Sequence, residues 1–270
     1  MKLNLLIATI DGGIRRVAEN LPEPFPGVNF IVSHQVTAEQ FRTLPAELKR
    51  PDVAVTVLEG KGLSRNRNNA ILIADGDIAL LADDDAIYRP EHFERVFKAF
   101  EDDSEVDVAC FKIATPAGEV EYKNYSPEPY CLNEESRHYI SSLEIAFRVA
   151  SVKEKKICFD QRFGLGSGLI RSGEEAVFIF DCIRAGLRVC YIPTYVVEHA
   201  RESTTNAQDQ YSEERVVFKG AYDARRYGWK AVPAVLLETV RKRRQLYASG
   251  KRPSAYLRER LRGAFYILRK

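Results

Sequence analysis

Three consecutive carboxylates, Asp83, Asp84 and Asp85, follow the apolar run "IALLA" at residues 78–82. In open α/β sheets, ligands bind beyond the carboxyl ends of the strands. Hard divalent cations such as Mg²⁺ or Mn²⁺ take carboxylates together with phosphate oxygens. Side chains two apart in an extended chain share a face, so Asp83 and Asp85 are expected to converge while Asp84 points elsewhere. A solvated acidic turn leading into the next helix is the competing reading of the same triplet.

Three further clusters carry chemistry-bearing residues. "EGKGLSRNRNNAI" (59–71) sets Arg65, Arg67 and asparagines including Asn69 at a loop-to-helix junction, where exposed N–H groups and a guanidinium suit a diphosphate. It lacks the spacing of a P-loop, and a polar helix face capped by Ser64 is the plainer alternative. "FGLGSGLIRSGEEAVF" (163–178) has glycines 164, 166 and 168 outside any βαβ unit. They read as a substrate loop or a plain connection, with no Rossmann fingerprint. Downstream, Ser172 and Glu175 match a capping box, which leaves the neighbouring Glu174 without an obvious task. "VVEHA" (196–200) ends an apolar run in His199, either a structural histidine or a neutral imidazole ligand for Mn²⁺.

Positioning these groups requires alternating strands and helices. "KLNLLIAT", "VNFIVS", "DVAVTVLE" and "DIALLAD" are apolar runs of strand length, and their near-continuous apolar character predicts a sheet covered on both faces. Between them, "GGIRRVAENL", "TAEQFRTLPAEL", "SRNRNNAILIA" and "PEHFERVFKAFED" read as helices, the last with Pro90 in its first turn. The class is therefore α/β, doubly wound. Further on, "VDVACFKIAT" and "GEVEYKNY" predict two extended pieces joined by a turn, "ISSLEIAFRVAS" a helix or strand, and "RVCYIPTYVVEHA" a strand.

The chain has 270 residues, 45% hydrophobic and 29% charged, which suits an ordinary globular protein. The start, "MKLNLLIATIDGG", has too short an apolar run for a signal peptide or a membrane span. The five cysteines (Cys110, Cys131, Cys158, Cys182, Cys190) are scattered and never spaced CxxC, so they read as core thiols of a reducing compartment, without zinc or disulfides. This places the protein in the cytosol. From Arg215 to Lys270 there are 16 Lys/Arg against three acids, a net of +13; with +2 overall, residues 1–214 carry −11. A basic tail, read as two or three helices separated near Pro233 and "SGKRPS", suggests contact with a polyanion. Its Arg and Lys interleave with aliphatic and aromatic residues in "VPAVLLETVRKRRQLY", which suits an interfacial helix on anionic lipid. No nucleic-acid motif accompanies the charge. Packing on the body as a solvated helical pair is the plain alternative.

Taken in order, these segments resemble the family 2 glycosyltransferases over about residues 3–200. The carriers are the first strand with Thr9 and Ile10 at its end, "GLSRNRNNAI", "ALLADDDAIYRPEHFERV" as the DxD strand and helix, "FDQRFGLGS", "SGEEAVFIFDCIRAG" and His199. The resemblance implies a GT-A fold, a Rossmann-like central mixed sheet flanked by helices, here with a basic helical C-terminal tail. It divides the chain into a glycosyltransferase domain (1–210), with a nucleotide-sugar half to about 105 and an acceptor half from about 106, and an extension (211–270). It implies an inverting transfer from a nucleotide-diphosphate sugar, most often a UDP-sugar, with Mn²⁺ or Mg²⁺ bridging the phosphates. Asp85 then serves the metal, Asp83 the ribose or metal, with Asp84 alongside; Arg65 lies by the base and diphosphate with Asn69, and His199 is a further ligand. Glu175, or Glu174 beside it, stands where the family carries its catalytic base. Ser33 and Gln35 replace the acid that reads the nucleobase in many members. Ser142, Gly166 and Ser167 fall in segments that line the acceptor half, for a glycan or lipid-linked acceptor in surface polysaccharide synthesis at the inner face of the cell membrane. A sugar-nucleotide nucleotidyltransferase, and a non-catalytic glycosyltransferase-like scaffold, are the other readings; "ATIDGGIRR" only faintly matches the activation loop of the former.

Overall fold

The computed structural model describes residues 1–136, 139–200 and 210–269. They form two compact units, one of Met1–Phe159 with Phe178–Arg201, the other of Asp160–Val177 with Glu202–Lys270. Segment 160–177, placed by the sequence reading in the glycosyltransferase domain, thus groups with the C-terminal helices.

In the first unit β1 (Leu3–Ile10), β2 (Val28–Val36), β3 (Val53–Glu59) and β4 (Ile78–Asp83) run parallel in the order β3-β2-β1-β4. β1 and β4 are apolar at nearly every position because both faces are covered. Leu3, Leu5, Ile7 and Leu80 enter one core, and Leu6, Ala79 and Leu81 enter the other. Beyond β4 the sheet turns mixed. β7 (Ile145–Arg148) lies antiparallel between β4 and β5 (Val108–Ala114); β8 (Val189–Glu198) is parallel to β5, and the short β6 (Tyr130–Cys131) closes the edge antiparallel to β8.

Helices α1 (Gly13–Asn20), α2 (Leu63–Ile73), α3 (Pro90–Asp102) and α4 (Val149–Glu154) accompany this sheet. α3 starts on Pro90, and the Arg89 N–H donates to His92 Nδ1 at 3.1 Å, closing its first turn. "TAEQFRTLPAEL" forms two single 3₁₀ turns, Glu39–Phe41 and Ala46–Leu48, in place of the expected helix. Pro45 supplies no N–H and biases Leu44 away from helical backbone. "GEVEYKNY" joins no strand ladder; its Tyr125 hydroxyl accepts the Ile113 N–H at 3.0 Å, so a side chain stands where a strand partner was expected. The cysteine reading needs a correction. Cys131 and Cys190 face each other across the β6–β8 ladder and are disulfide-bonded, while Cys110 and Cys182 are buried thiols and Cys158 is exposed. A separation of 59 residues hides what the strand register makes adjacent.

The second unit is built on α6 (Glu213–Tyr227), α7 (Ala231–Ala248) and α8 (Pro253–Leu268). α6 and α8 touch backbone to backbone: a Cβ on Gly220 would lie 2.0 Å from Arg260 O, and one on Gly263 1.9 Å from Val217 O. Phe163, Ile170, Val177, Val217, Ala221 and Ala264 form the core there. α7 begins after Gly228, which has φ +59°, and Pro233 sits harmlessly in its first turn. Much of the basic surplus is paired internally. Arg260, 1% exposed, binds Asp223 at 2.6 Å and Glu238 at 2.8 Å, and Glu238 also binds Lys219 and Lys242. α5 (Glu174–Arg184) begins in this unit and continues into the first. Among the described residues, no helix is long and apolar enough to cross a membrane.

Candidate active site

The chain runs from β1 outward to β2 and β3, then returns through α2 to β4 on the other side of β1. That reversal opens a crevice at the carboxyl ends of β1 and β4, the place where α/β sheets take ligands. Ala8 is paired with Asp83, so Thr9, Ile10 and the three acids emerge together.

The three aspartates diverge. Asp83 ends β4, and its oxygens face Arg67 Nη2 at 3.3 Å and Ser142 Oγ at 3.2 Å. Asp84 turns inward. The Thr9 hydroxyl donates to its Oδ2 at 2.6 Å, while Arg16 Nε and Nη2 reach its Oδ1 at 3.0 and 2.7 Å. A Cβ on Gly13 would stand 2.2 Å from Asp84 Oδ2, so the glycine lets the carboxylate lie against the N-terminus of α1, where the helix dipole favours an anion. Asp85 faces outward, its side chain 48% exposed, with His199 Nε2 3.2 Å from Oδ1. The His199 hydrogen bond holds the Asp85 carboxyl below its usual range against the opposing effect of burial, and the same bond raises the His199 imidazole.

The period-of-two argument fails here because the strand stops at Asp83, and Asp84 and Asp85 lie in a turn. Asp83 and Asp85 therefore keep separate partners. Among the described residues, no three His, Cys, Asp or Glu side chains are gathered for a metal ion, so the expected set of Asp85, Asp83 and His199 is not assembled. Asp85 with His199 remains a fitting pair of donors. A half-exposed carboxylate and an imidazole suit Mn²⁺ when phosphate oxygens complete the shell.

Around them, Asn66 Nδ2 donates to Thr9 O at 2.9 Å, Asn69 Nδ2 to Ser33 Oγ at 2.9 Å, and Gln35 Nε2 to Gly62 O at 3.1 Å. His34 Nε2 donates to Asp11 O at 3.0 Å; burial pulls its imidazole below the ordinary value, partly offset by that carbonyl. Ile10 is exposed at the crevice. Arg65 lies on the exposed side of α2 and donates to Glu59 O at 2.6 Å. Arg67 is the buried arginine, its guanidinium 5.5 Å from the Phe159 ring centroid and beside Asp83. The signal was present in the sequence: Arg67 precedes Ala70, Ile71 and Ala74 at helical spacing, on the buried stripe. Arg16 had no such signal, because only the fold brings it to Asp84.

The remaining expected site residues lie in the second unit. Glu174 and Glu175 open α5, where the helix N-terminus favours acids; Glu174 is buried and Glu175 half-buried. Gly173, with φ +84°, precedes them because a Cβ would meet the Phe218 ring at 1.9 Å. Gly166 has φ +83°, and the Ser167 hydroxyl donates to Ile170 O at 2.6 Å, closing the glycine-rich turn.

Residues 33–155 match the family model described as glycosyl transferase family 2. That span holds Arg65, the three aspartates and Ser142, and leaves out Thr9, Glu174, Glu175 and His199. None of the curated proteins compared matches the chain. Among solved structures, S. aureus TarS 1–349 in complex with UDP-GlcNAc is 17% identical over 83% of this chain and 66% of its own, with a TM-score of 0.61. TarS 1–349 without that ligand aligns over 100% and 92%, at 14% identity and TM-score 0.61. The mannosyltransferase PcManGT of Pyrobaculum calidifontis, in complex with GDP-Man and Mn²⁺, is 14% identical over 99% and 72%, with a TM-score of 0.55. The chain spans under two thirds of the first of these and 40% of a longer TarS chain. At such identities the likeness is one of fold, a GT-A fold. Residues 33–155 carry the match to glycosyl transferase family 2, and the likeness to solved structures extends the same fold over the rest of the chain.

Proposed function

We propose that this protein is an inverting, metal-dependent glycosyltransferase that moves a sugar from a nucleotide-diphosphate donor to a glycan or lipid-linked acceptor. The observation that carries it is the divergence of the aspartates. Asp84 is locked inside, which leaves Asp85 with His199 outward at the switch-point crevice. The relatives in fold, solved with UDP-GlcNAc, UDP and GDP-Man, support a nucleotide-sugar donor, and we infer a UDP-sugar.

Asp85 and His199 would hold Mn²⁺ or Mg²⁺. A bound ion supplies charge neutralisation on the departing diphosphate. Asp83 receives the ribose, Arg67 and Arg65 favour the diphosphate, and Thr9, Ile10, Ser33, Gln35 and Asn69 frame the nucleoside. Glu175 accepts the proton of the acceptor hydroxyl as that oxygen bonds to the anomeric carbon and the bond from this carbon to the diphosphate oxygen breaks. Its position in the family order and its accessibility relative to Glu174 support the assignment; the same order assigns Glu174, Gly166, Ser167 and Ser142 to the acceptor side. Glu175→Gln should keep the rise in melting temperature given by UDP with Mn²⁺ while transfer falls by about 10²-fold or more. A variant that still transfers removes Glu175 as the base. No shift with UDP, GDP or CDP defeats the donor assignment.

The surface of α7 favours work at a membrane surface, which we take to be the inner face of the cell membrane. Leu236, Leu237, Val240 and Tyr247 are exposed along one side, with Trp229 just before the helix and Arg241, Arg243 and Arg244 exposed beside them. An apolar ridge edged by arginines fits an anionic lipid interface. Leu237→Glu with Val240→Glu should sharply reduce sedimentation with anionic liposomes without lowering the melting temperature; undiminished binding refutes the contact.

A further inference from the structure

A cavity of about 600 Å³ opens in the first unit at the antiparallel edge of the sheet. Its wall is aromatic. Tyr130 stacks on Tyr191 with centroids 4.9 Å apart, and Tyr125 lies parallel to Tyr191 at 6.4 Å. Tyr139, 71% exposed, stands at the rim. The disulfide Cys131–Cys190 joins the residues next to Tyr130 and Tyr191, so the stacked pair is held in register from both strands.

Lys112, paired with Glu121, stands 5.2 Å from the Tyr125 ring centroid, and a second pair lies in the lining itself. Glu144, 3% exposed, is ion-paired to Lys123 and accepts the Ser141 N–H at 2.5 Å. Burial raises the Glu144 carboxyl, and Lys123 opposes that rise. Lys123 Nζ in turn lies 4.5 Å from the Tyr139 ring centroid and donates to Tyr139 O at 3.0 Å. Among the described residues, Lys123 and Glu144 are the charged side chains of the lining, and each neutralises the other. Among the described residues of the lining a phosphate would find no surplus cation, and a hydrocarbon chain would strip the remaining solvent from the Lys123–Glu144 pair. A molecule with apolar C–H faces and a rim of hydroxyls matches both the stacked rings and the ion pair, in the manner of small-molecule sites that join an apolar wall to a few convergent polar groups.

The cavity is joined to the donor crevice by a single 3₁₀ turn, Ser142–Glu144. Its first residue sets Ser142 Oγ 3.2 Å from Asp83, and its last places Glu144 in the cavity wall. We propose that this cavity binds an uncharged pyranose ring of the acceptor glycan, its faces against Tyr125, Tyr130 and Tyr139 and its hydroxyls on the Lys123–Glu144 pair. The inference rests on the glycosyltransferase reading of the Asp83–Asp85 site, since it treats the ring as acceptor.

The test uses the full chain and saturation-transfer NMR with methyl α- and β-pyranosides of glucose, galactose, mannose and N-acetylglucosamine at millimolar concentration. At least one should receive saturation on its ring C–H protons, and its affinity should fall about tenfold in Tyr139→Ala, a change of about 1.4 kcal/mol. Tyr139 is exposed, so that variant retains the fold; Glu144→Gln, which keeps the shape and removes the charge, should weaken the same signal. No pyranoside signal on the wild type, or a signal undiminished in folded variants, overturns the site. The thermal shift with UDP and Mn²⁺ is read on the same sample. A shift without any pyranoside signal refutes the cavity while sparing the donor site; a pyranoside signal without any nucleotide shift overturns its assignment as an acceptor site.

Discussion

The acids at the end of β4 and the acids among the C-terminal helices use the same carboxylate to opposite ends. Glu238 meets Lys219, Lys242 and Arg260 within 2.8 Å, and Arg260 reaches Asp223 as well. Burial alone would raise Glu238, yet the three cations outweigh it and hold the carboxyl at about 2. Cations there outnumber acids, every charge has a protein partner, and the cluster ties α6, α7 and α8 together. At the end of β4 only Asp84 is treated in that way. Asp85 keeps half its side chain in solvent with an imidazole at 3.2 Å, and Asp83 has two long contacts. A carboxylate fully answered by the protein serves the fold; one answered in part is, on the proposed reading, left for a ligand.

The sharpest way to break that comparison lies within the triplet. Asp84→Ala should cost about 3 kcal/mol, because it orphans the buried Thr9 hydroxyl and removes a charged acceptor, discounted for the exposed Arg16. In a unit of this size that is a fall of roughly 6–12 °C in melting temperature. Gly13→Ala acts on the same carboxylate by overpacking and should cost about 1–3 kcal/mol. Unchanged melting in both would show that Asp84 is no structural residue. Asp85→Ala should do the reverse, with about 0–1 kcal/mol of stability lost and the thermal shift with UDP and Mn²⁺ abolished. A preserved shift would remove Asp85 from the ligand set.

The helices answer to pH instead. A carboxyl held below its ordinary value contributes stability above that value and loses it as pH falls through the folded one. Glu238 therefore stabilises from about pH 4.5 upward and ceases to do so toward about 2. Glu238→Gln should flatten the acid limb of stability, followed by circular dichroism from pH 6 to 2. An acid limb identical to the wild type would detach that cluster from the unit's pH dependence.

Much of this site is legible in the chain order. The strand "IALLAD" announces its own end, "GLSRNRNNAI" its helix, and His199 its place after a strand; each rests on local periodicity or on order along the sequence. Facing is harder. Arg65 and Arg67 look interchangeable by composition, and the spacing to Ala70 and Ile71 decides which enters the site. The basic tail shows a further limit: its net of +13 stands, but Lys219, Lys242 and Arg260 are held by acids from the same helices, and the exposed charge is spread over α7, α8 and their flanks, from Arg241, Arg243 and Arg244 to Arg252, Arg258 and Arg269.

By itself the sequence determined the α/β alternation, the coverage of both faces of the sheet and the order of motifs along it, since these follow from short-range patterns of apolar and polar residues. Tertiary structure alone decided which aspartate turns inward, that Arg16 answers it, and that Cys131 meets Cys190. It also decided that Tyr125, Tyr130, Tyr139 and Tyr191 surround one cavity. Those outcomes depend on strand register and on where the last ladder pair falls. A shift of one residue in where β4 ends would change which aspartate turns inward, with no change in composition.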